Sequence, residues 1–373
     1  NDNQLSGNTA RENRQGGFIV DGSAAVRLTG NRGVANGSDG FLVTSSTGVR
    51  VEDNVAKDNA IRGFAFGNVT MSTLASNIAA GNGEGIVLAA SSGNTVVSNV
   101  ASGSTTSKAA GVGIWIREGS TQNVVRSNTA TGNQNGGFYL DASDDNQLIA
   151  NIARANQGDG FGAWASANAV FTGNSSIANT SNGFLFNSST RLRVGANVAK
   201  GNGPDGGNAF VFLGSSDLRV EHNVAAGSPW ACFGLYDGTI GVTLTGNSAS
   251  GCSAGFDIGS ATGNTLRDNT ANANIGGNGF SLGNGAVANT LSANTANGNN
   301  NGFLLWGDAS QNTLTGNIAN RNTSFGFIAD AAASYNTFTY DTAYGNGVLD
   351  AGQSGECVGN TWLHNHFGTM DGI

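Results

Sequence analysis

The chain has 373 residues, of which 59 are glycine and only 11% are charged, with a formal net charge of −8. That composition excludes a salt-bridged helical surface, and with no cluster of Lys and Arg it offers none of the phosphate contacts that nucleic-acid binding needs. Only two prolines occur, which removes collagen-like and polyproline behaviour, and no apolar run approaches the ~20 residues of a membrane-spanning helix.

A repeat starts at once and runs through most of the chain. Aligned on the Asn of an L-x-x-N step, its copies fall at Asn8, Asn31, Asn54, Asn77 and Asn99, then from Asn128 to Asn317, with Asp341 in the same place. Most steps are 22 to 25 residues; two are longer, 29 from Asn99 to Asn128 and 26 from Asn197 to Asn223. Three residues before each marker stands an apolar side chain (Leu5, Leu28, Val51, Leu74), and two after it a small one (Ala10, Ala56, Ala130). A second Asn follows (Asn13, Asn36, Asn59), and then Gly-Phe-x-apolar, as at Gly17-Phe18, Gly40-Phe41 and Gly302-Phe303.

Each copy alternates with period two, which predicts short strands with one buried face. Gly and Asn supply the corners between them. No single copy can bury its own Leu and Phe, so the copies must stack, each ~4.8 Å above the last. Stacking turns every Asn position into a column, and an amide is the side chain that can donate to one neighbour while accepting from the other.

The N-x-L-x-x-N…G-F-x-apolar rung resembles those of the right-handed parallel β-helix repeat proteins of the pectate-lyase-like superfamily. The resemblance covers residues 1–345 and implies an all-β, single-stranded parallel β-helix of about fifteen rungs with about 23 residues in each. Residues 346–373 leave the repeat and are expected to cap it. The resemblance also implies a secreted or cell-surface location, although residue 1 already lies inside a repeat and no leader is evident. It further implies saccharide grooves along an outward-facing sheet.

On that reading the residue after Gly-Phe points outward, as does the one two further on. The 29-residue step inserts a loop around residues 102–113 beside Trp115. The next rungs then place Trp115, Arg117, Tyr139, Asp141 and Trp164 on one outward sheet, flanked by Glu118, Asp144, Asp145 and Lys108. Aromatic faces stack on sugar rings, and Arg and carboxylates meet hydroxyls or uronate carboxylates. For catalysis, Tyr139 or Asp141 would move the proton and Arg117 would neutralise a substrate carboxylate. The Tyr-Gly-x-Asp-Pro-His signature of alginate epimerases is missing here, as are the Gly-His-Gly and Arg-x-Lys signatures of polygalacturonases.

Two functions are therefore expected. One is binding, with cleavage or epimerisation, of an acidic polysaccharide, of lyase or epimerase type in preference to hydrolase. The other is a non-catalytic surface rod that binds glycan or self-assembles through an uncapped first rung or an outward apolar row (Leu42, Val87, Leu185, Val211, Leu304, Ile328). A third, minor reading takes the Thr columns at Thr243, Thr245, Thr313, Thr315, Thr337 and Thr339 as an ice-binding face.

Cys232 and Cys252 lie 20 residues apart, short of the stacking step, which argues against a disulfide between them. No metal or other cofactor is expected. His364 and His366 with Glu356 and Cys357 are too loosely spaced for a metal centre. Ca²⁺ at the corner residues Asp39, Glu84 and Asp159 would need converging oxygens that the sequence does not indicate.

Overall fold

The computed structural model describes residues 2–274, 276–330 and 332–373, and every regular element among them is a short strand. The chain divides into two compact units, Asn1–Ser181 and Asn182–Ile373. Both are built from the same rung. Arg27–Thr29 is typical of the first strand, Arg32–Val34 of the second and Phe41–Thr44 of the third. Strands of each kind pair in parallel with their counterparts in neighbouring rungs, giving each unit three parallel sheets around one core.

In the first unit the first sheet runs from Gln4–Ser6 to Val170–Thr172 and the third from Phe18–Asp21 to Phe161–Trp164. In the second unit the first sheet runs from Arg193–Gly195 to Thr361–Leu363 and the third from Phe184–Asn187 to Met370–Asp371. Sixteen strands make up each kind of sheet across the two units, one more than the repeat count suggests. The extra rung comes from the tail: Thr361–Leu363, His366–Phe367 and Met370–Asp371 pair in register with Thr337–Thr339, Thr342–Tyr344 and Leu349–Gln353.

Register follows from the repeat. Leu5 lies against Leu28 and Leu28 against Val51, while in the second unit Val220, Leu244 and Leu266 form one column. In the second unit Phe210, Phe233, Phe256, Phe280, Phe303 and Phe327 stack with centroids 4.7 to 4.9 Å apart and rings within 6° of parallel. Each is fully buried, which stabilises the rung by roughly 1.5–3 kcal/mol per side chain.

The marker Asn residues form a continuous amide column within each unit. Asn31 Nδ2 donates to Asn54 Oδ1 at 3.1 Å, Asn54 to Asn77 at 3.1 Å, and Asn77 to Asn99 at 2.9 Å. The same Nδ2 also donates to backbone carbonyls, for Asn54 those of Leu28 (2.8 Å) and of Glu52, two residues back (2.9 Å). That second bond closes a corner in which the intervening residue is left-handed, whether glycine (Gly7, φ 66, before Asn8) or not (Asp53, φ 58; Ser76, φ 54, before Asn77). The amide thus offsets backbone strain that a side-chain-bearing residue would otherwise carry unsupported.

Two expectations are corrected. Cys232 and Cys252 form a disulfide, with Cα atoms 5.6 Å apart. The glycine of the Gly-Phe step lies beside the second Asn of the next rung as well as beside its own counterpart. A Cβ at Gly63 would come 2.8 Å from Asn82 Nδ2, and one at Gly113 2.7 Å from Asn133 Nδ2. Those pairs are 19 and 20 residues apart, and the cysteines replace one such pair, Cys232 at the glycine place and Cys252 at the Asn place. The outward apolar row, expected to be exposed, is mostly covered. Val87, Val211 and Ile328 are buried, and Leu42, Leu185 and Leu304 are half-buried. Long side chains lie along the sheet instead of standing away from it, as Arg117 does over Trp115, the register partner of Val87.

Candidate functional site

The third sheet of the first unit sets Trp115 beside Tyr139, Tyr139 beside Gly162, and Asp141 beside Trp164. Gly162 leaves the sheet bare, and the Trp164 ring folds back over it; a Cβ at that position would run into the indole. The Trp164 ring meets the Tyr139 ring edge-on, with centroids 4.6 Å apart and planes at 80°. Tyr139 lies in turn over Gly136 and donates its hydroxyl to Asn135 Oδ1 at 3.0 Å. Asn135 Nδ2 donates to the carbonyl of Ala110 at 3.2 Å, which ties the site to the inserted loop.

The result is a pocket of about 370 Å³ lined by Ala110, Val112, Trp115, Asn135, Tyr139, Asp141 and Trp164. Two aromatic walls are half-buried (Trp115, Trp164) and Asp141 is exposed. Trp115 Nε1 is buried without a hydrogen-bond partner among the described residues. Burial pushes the Tyr139 phenol well above its usual range, and the carboxylate of Asp159 adds to the effect.

Four of the residues singled out by sequence, Trp115, Tyr139, Asp141 and Trp164, therefore line one cavity. The others do not. Arg117 packs over the Trp115 ring, 4.5 Å from its centroid, and is held by Glu118 at 3.3 Å and Glu84 at 4.0 Å. Glu118 is a left-handed corner residue (φ 58). Lys108 donates to the carbonyl of Gly81 at 2.8 Å. Asp144 accepts from the backbone N–H of Ala167 at 2.7 Å, and Asp145 is a left-handed corner residue (φ 57).

Arg117 ends a charge ladder that sequence reading did not assemble. Arg62 Nε and Nη2 clamp both carboxylate oxygens of buried Asp39, at 2.8 and 3.0 Å. Glu84 is the register partner of Arg62 on the next rung. Burial raises the Glu84 pKa, with Arg117 and then Arg62 opposing the rise. Alternating signs at equivalent positions of successive rungs were the available signal. Asn135, Ala110 and Val112 were also missed, since the 29-residue step locates the loop without saying which of its residues turn inward.

Three solved structures illustrate what the chain is similar to in fold. The periplasmic alginate epimerase AlgG aligns with 12% identity over 92% of this chain and 78% of its own, with a TM-score of 0.52. The Azotobacter vinelandii mannuronan C-5 epimerase AlgE4 A-module aligns with 15% identity over 93% and 88%, TM-score 0.52. The catalytic domain of a GH87 alpha-1,3-glucanase in complex with tetrasaccharides aligns with 13% identity over 78% and 64%, TM-score 0.53. No curated protein sequence matches the chain. A family model described as right handed beta helix region matches residues 98–249, which agrees with the parallel three-sheet architecture. A second model, periplasmic copper-binding protein (NosD), matches residues 1–153 and 207–371, most of the chain, and the chain belongs to that family.

Proposed function

We propose that the protein is an extracytoplasmic glycan-binding β-helix, which holds a segment of polysaccharide in the pocket of its first unit without turning it over. The observation that carries this is the pocket's make-up: Trp115, Tyr139 and Trp164 as walls, with the Asn135 amide and Asp141 carboxylate as polar groups. Flat aromatic faces suit the apolar faces of sugar rings, and a few fixed polar groups suit their hydroxyls. Structural neighbours named as alginate and mannuronan epimerases and as a glucanase support a glycan ligand in general. The word periplasmic in the family description and in AlgG's supports the location.

A uronate chain would need a cation free to meet its carboxylates. Arg117 is engaged by Glu84, Glu118 and the Trp115 ring, and Asp141 adds negative charge to the lining. A neutral glycan therefore fits better than an acidic one. The same facts count against lyase or epimerase chemistry by Arg117 and Tyr139. Arg117 does not line the pocket, and the raised pKa of Tyr139 keeps its proton on at neutral pH, where a base would have to lose it.

Copper enters only through the family description. Copper sites are built from imidazole, thiolate and thioether donors. The chain has three His, three Cys and two Met; Cys232 and Cys252 are joined in a disulfide, and His364 stacks on Tyr340 with centroids 5.3 Å apart. No three His, Cys, Asp or Glu side chains gather at one point among the described residues. This donor set does not fit a copper centre.

Isothermal titration with a panel of neutral and uronate oligosaccharides tests the reading, alongside assays for unsaturated products and new reducing ends. Expected is binding of a neutral oligosaccharide, weakened by Trp164→Ala, and no product. Turnover of any member of the panel, or no binding by any of them, refutes it.

A further inference from the structure

We propose that a second pocket, at Trp230, Tyr236 and Asp257 in the second unit, binds a small organic ammonium ion. Nothing in this inference depends on the reading of the first unit's pocket.

The pocket is built from local sequence. The 26-residue step lengthens the chain at residues 203–208, and Gly206 there packs against the ring of Trp230, which is 60% exposed. Strand Ala231–Tyr236 pairs with Ala254–Gly259, with Gly234 beside Asp257. Because residue 234 has no side chain, the Tyr236 ring folds back over it and reaches the neighbouring rung. Its hydroxyl donates to Asp257 Oδ2 at 2.8 Å. On the other side Asp257 is the register partner of Ser281, whose side chain acts on the carboxylate as a second neutral donor and holds its pKa down. Trp306 Nε1 donates to Ser281 Oγ at 3.2 Å. The disulfide Cys232–Cys252 fixes the strand between Trp230 and Tyr236 to the corner carrying Ser253. These elements enclose about 360 Å³, lined by Trp230, Ala231, Tyr236, Ser253, Ala254 and Asp257.

Asp257 is thus a positioned carboxylate held by neutral donors only. No Lys, Arg or His lines the cavity, and none forms an ion pair with Asp257 among the described residues. Burial raises its pKa, as expected of a carboxylate that lacks a counter-charge. A neutral ligand would leave that charge uncompensated. An ammonium ion supplies the missing charge in a partly desolvated site, and its alkyl groups meet the faces of Trp230 and Tyr236, the arrangement in which cation–π attraction is strongest. An anion would meet only repulsion.

The test is isothermal titration of the intact protein with tetramethylammonium chloride, with tert-butanol as a neutral probe of similar shape. Tetramethylammonium is expected to bind and tert-butanol to give no heat of binding. Trp230→Ala and Asp257→Asn should each weaken the ion's affinity about tenfold or more. Trp230 is exposed, and an Asn at 257 still accepts from Tyr236, so both variants are expected to keep the circular dichroism of the parent. Equal binding of tert-butanol, no binding of tetramethylammonium, or an affinity untouched by both substitutions overturns the proposal.

Discussion

Asp341 stands where every other rung from Asn8 to Asn317 carries the marker Asn. Its Oδ1 does the column's work, accepting from the backbone N–H and Nδ2 of Asn317 at 2.7 and 3.0 Å. Its Oδ2 occupies the place of the missing Nδ2 and is buried without a partner. In the rung before, Asn317 Nδ2 donates to the Leu291 carbonyl; the equivalent acceptor for residue 341 is Leu314. An ionised carboxylate there turns an oxygen toward a carbonyl, whereas a protonated one donates to it. Burial accordingly pushes the Asp341 pKa up from 3.8 to about 7, opposed only in part by the donors of Asn317. The folded value lies above the unfolded one, so the carboxyl's contribution is complete below pH 4 and is lost as pH rises towards 7. A rise of roughly three units corresponds to about 4 kcal/mol at most. Asp341→Asn supplies the missing donor at every pH. It is expected to stabilise the rungs around it by a few kcal/mol at pH 8 and to change little at pH 4. Amide hydrogen exchange across Thr337–Thr339, Thr342–Tyr344 and Thr361–Leu363 reads this locally, which suits a stacked-repeat chain better than a global midpoint. An equal effect at both pH values would refute the argument.

Three more outcomes are expected. Gly162→Val displaces the Trp164 ring from the sheet and should abolish glycan affinity while leaving the thermal midpoint within a few degrees; unchanged titration heats would dissociate the ring's seat from binding. Arg62→Ala leaves the buried Asp39 carboxylate without its counter-charge, although the backbone N–H of residue 62 still donates to it, and should cost about 3 kcal/mol in urea denaturation. The double variant with Asp39→Asn should recover most of that, and strict additivity of the two changes would argue against the pairing. Replacing Cys232 and Cys252 by Ala removes a 20-residue cross-link and should cost about 3 kcal/mol, seen as faster exchange in Ala231–Tyr236. Exchange equal to that of the parent would show that the surrounding stack already fixes those strands.

The fold was legible because stacking demands identity. Leu5, Leu28 and Val51 had to coincide, and so did the Asn column, so period alone delivered sheets, register and ladders. The site was half legible. Trp115, Tyr139, Asp141 and Trp164 were placed on one sheet by alternation, but alternation gives a side chain's direction at Cβ and not where its far end settles. Arg117 leaves the sheet position beside the pocket and runs back over Trp115 toward Glu84. Lys108 binds a backbone carbonyl instead of a ligand, as a long flexible side chain does when a carbonyl is nearer. The disulfide was misread for a related reason: a separation of 23 was treated as the only contact distance, although the Gly place touches the next rung's Asn place at 19 or 20. Tyr236 and Asp257 stand in the outward rows of the sequence as well. They drew no notice because the glycines that let a ring lie flat, Gly162 and Gly234, look like gaps in such a row.

The amide column behaves as a ruler that measures rungs and ignores the chain between its marks. Asn77 Nδ2 meets the next Oδ1 at 2.9 Å over 22 residues, Asn99 does so at 2.9 Å over 29, and Asn197 at 3.0 Å over 26. A one-residue slip inside a strand would be felt by every column at once, while several residues added after the second corner are felt by none. Length can therefore change in this architecture at corners, by several residues after the second Asn and by one after the third strand, where Leu88 and Ile116 pair across 28 residues but Ser92 and Thr121 across 29. The two longest turns are the two whose surplus residues stand against a pocket: Ala110 and Val112 in one, Gly206 behind Trp230 in the other. A new binding surface on such a chain needs no change to the scaffold, only a longer turn and an aromatic beside a glycine to receive it.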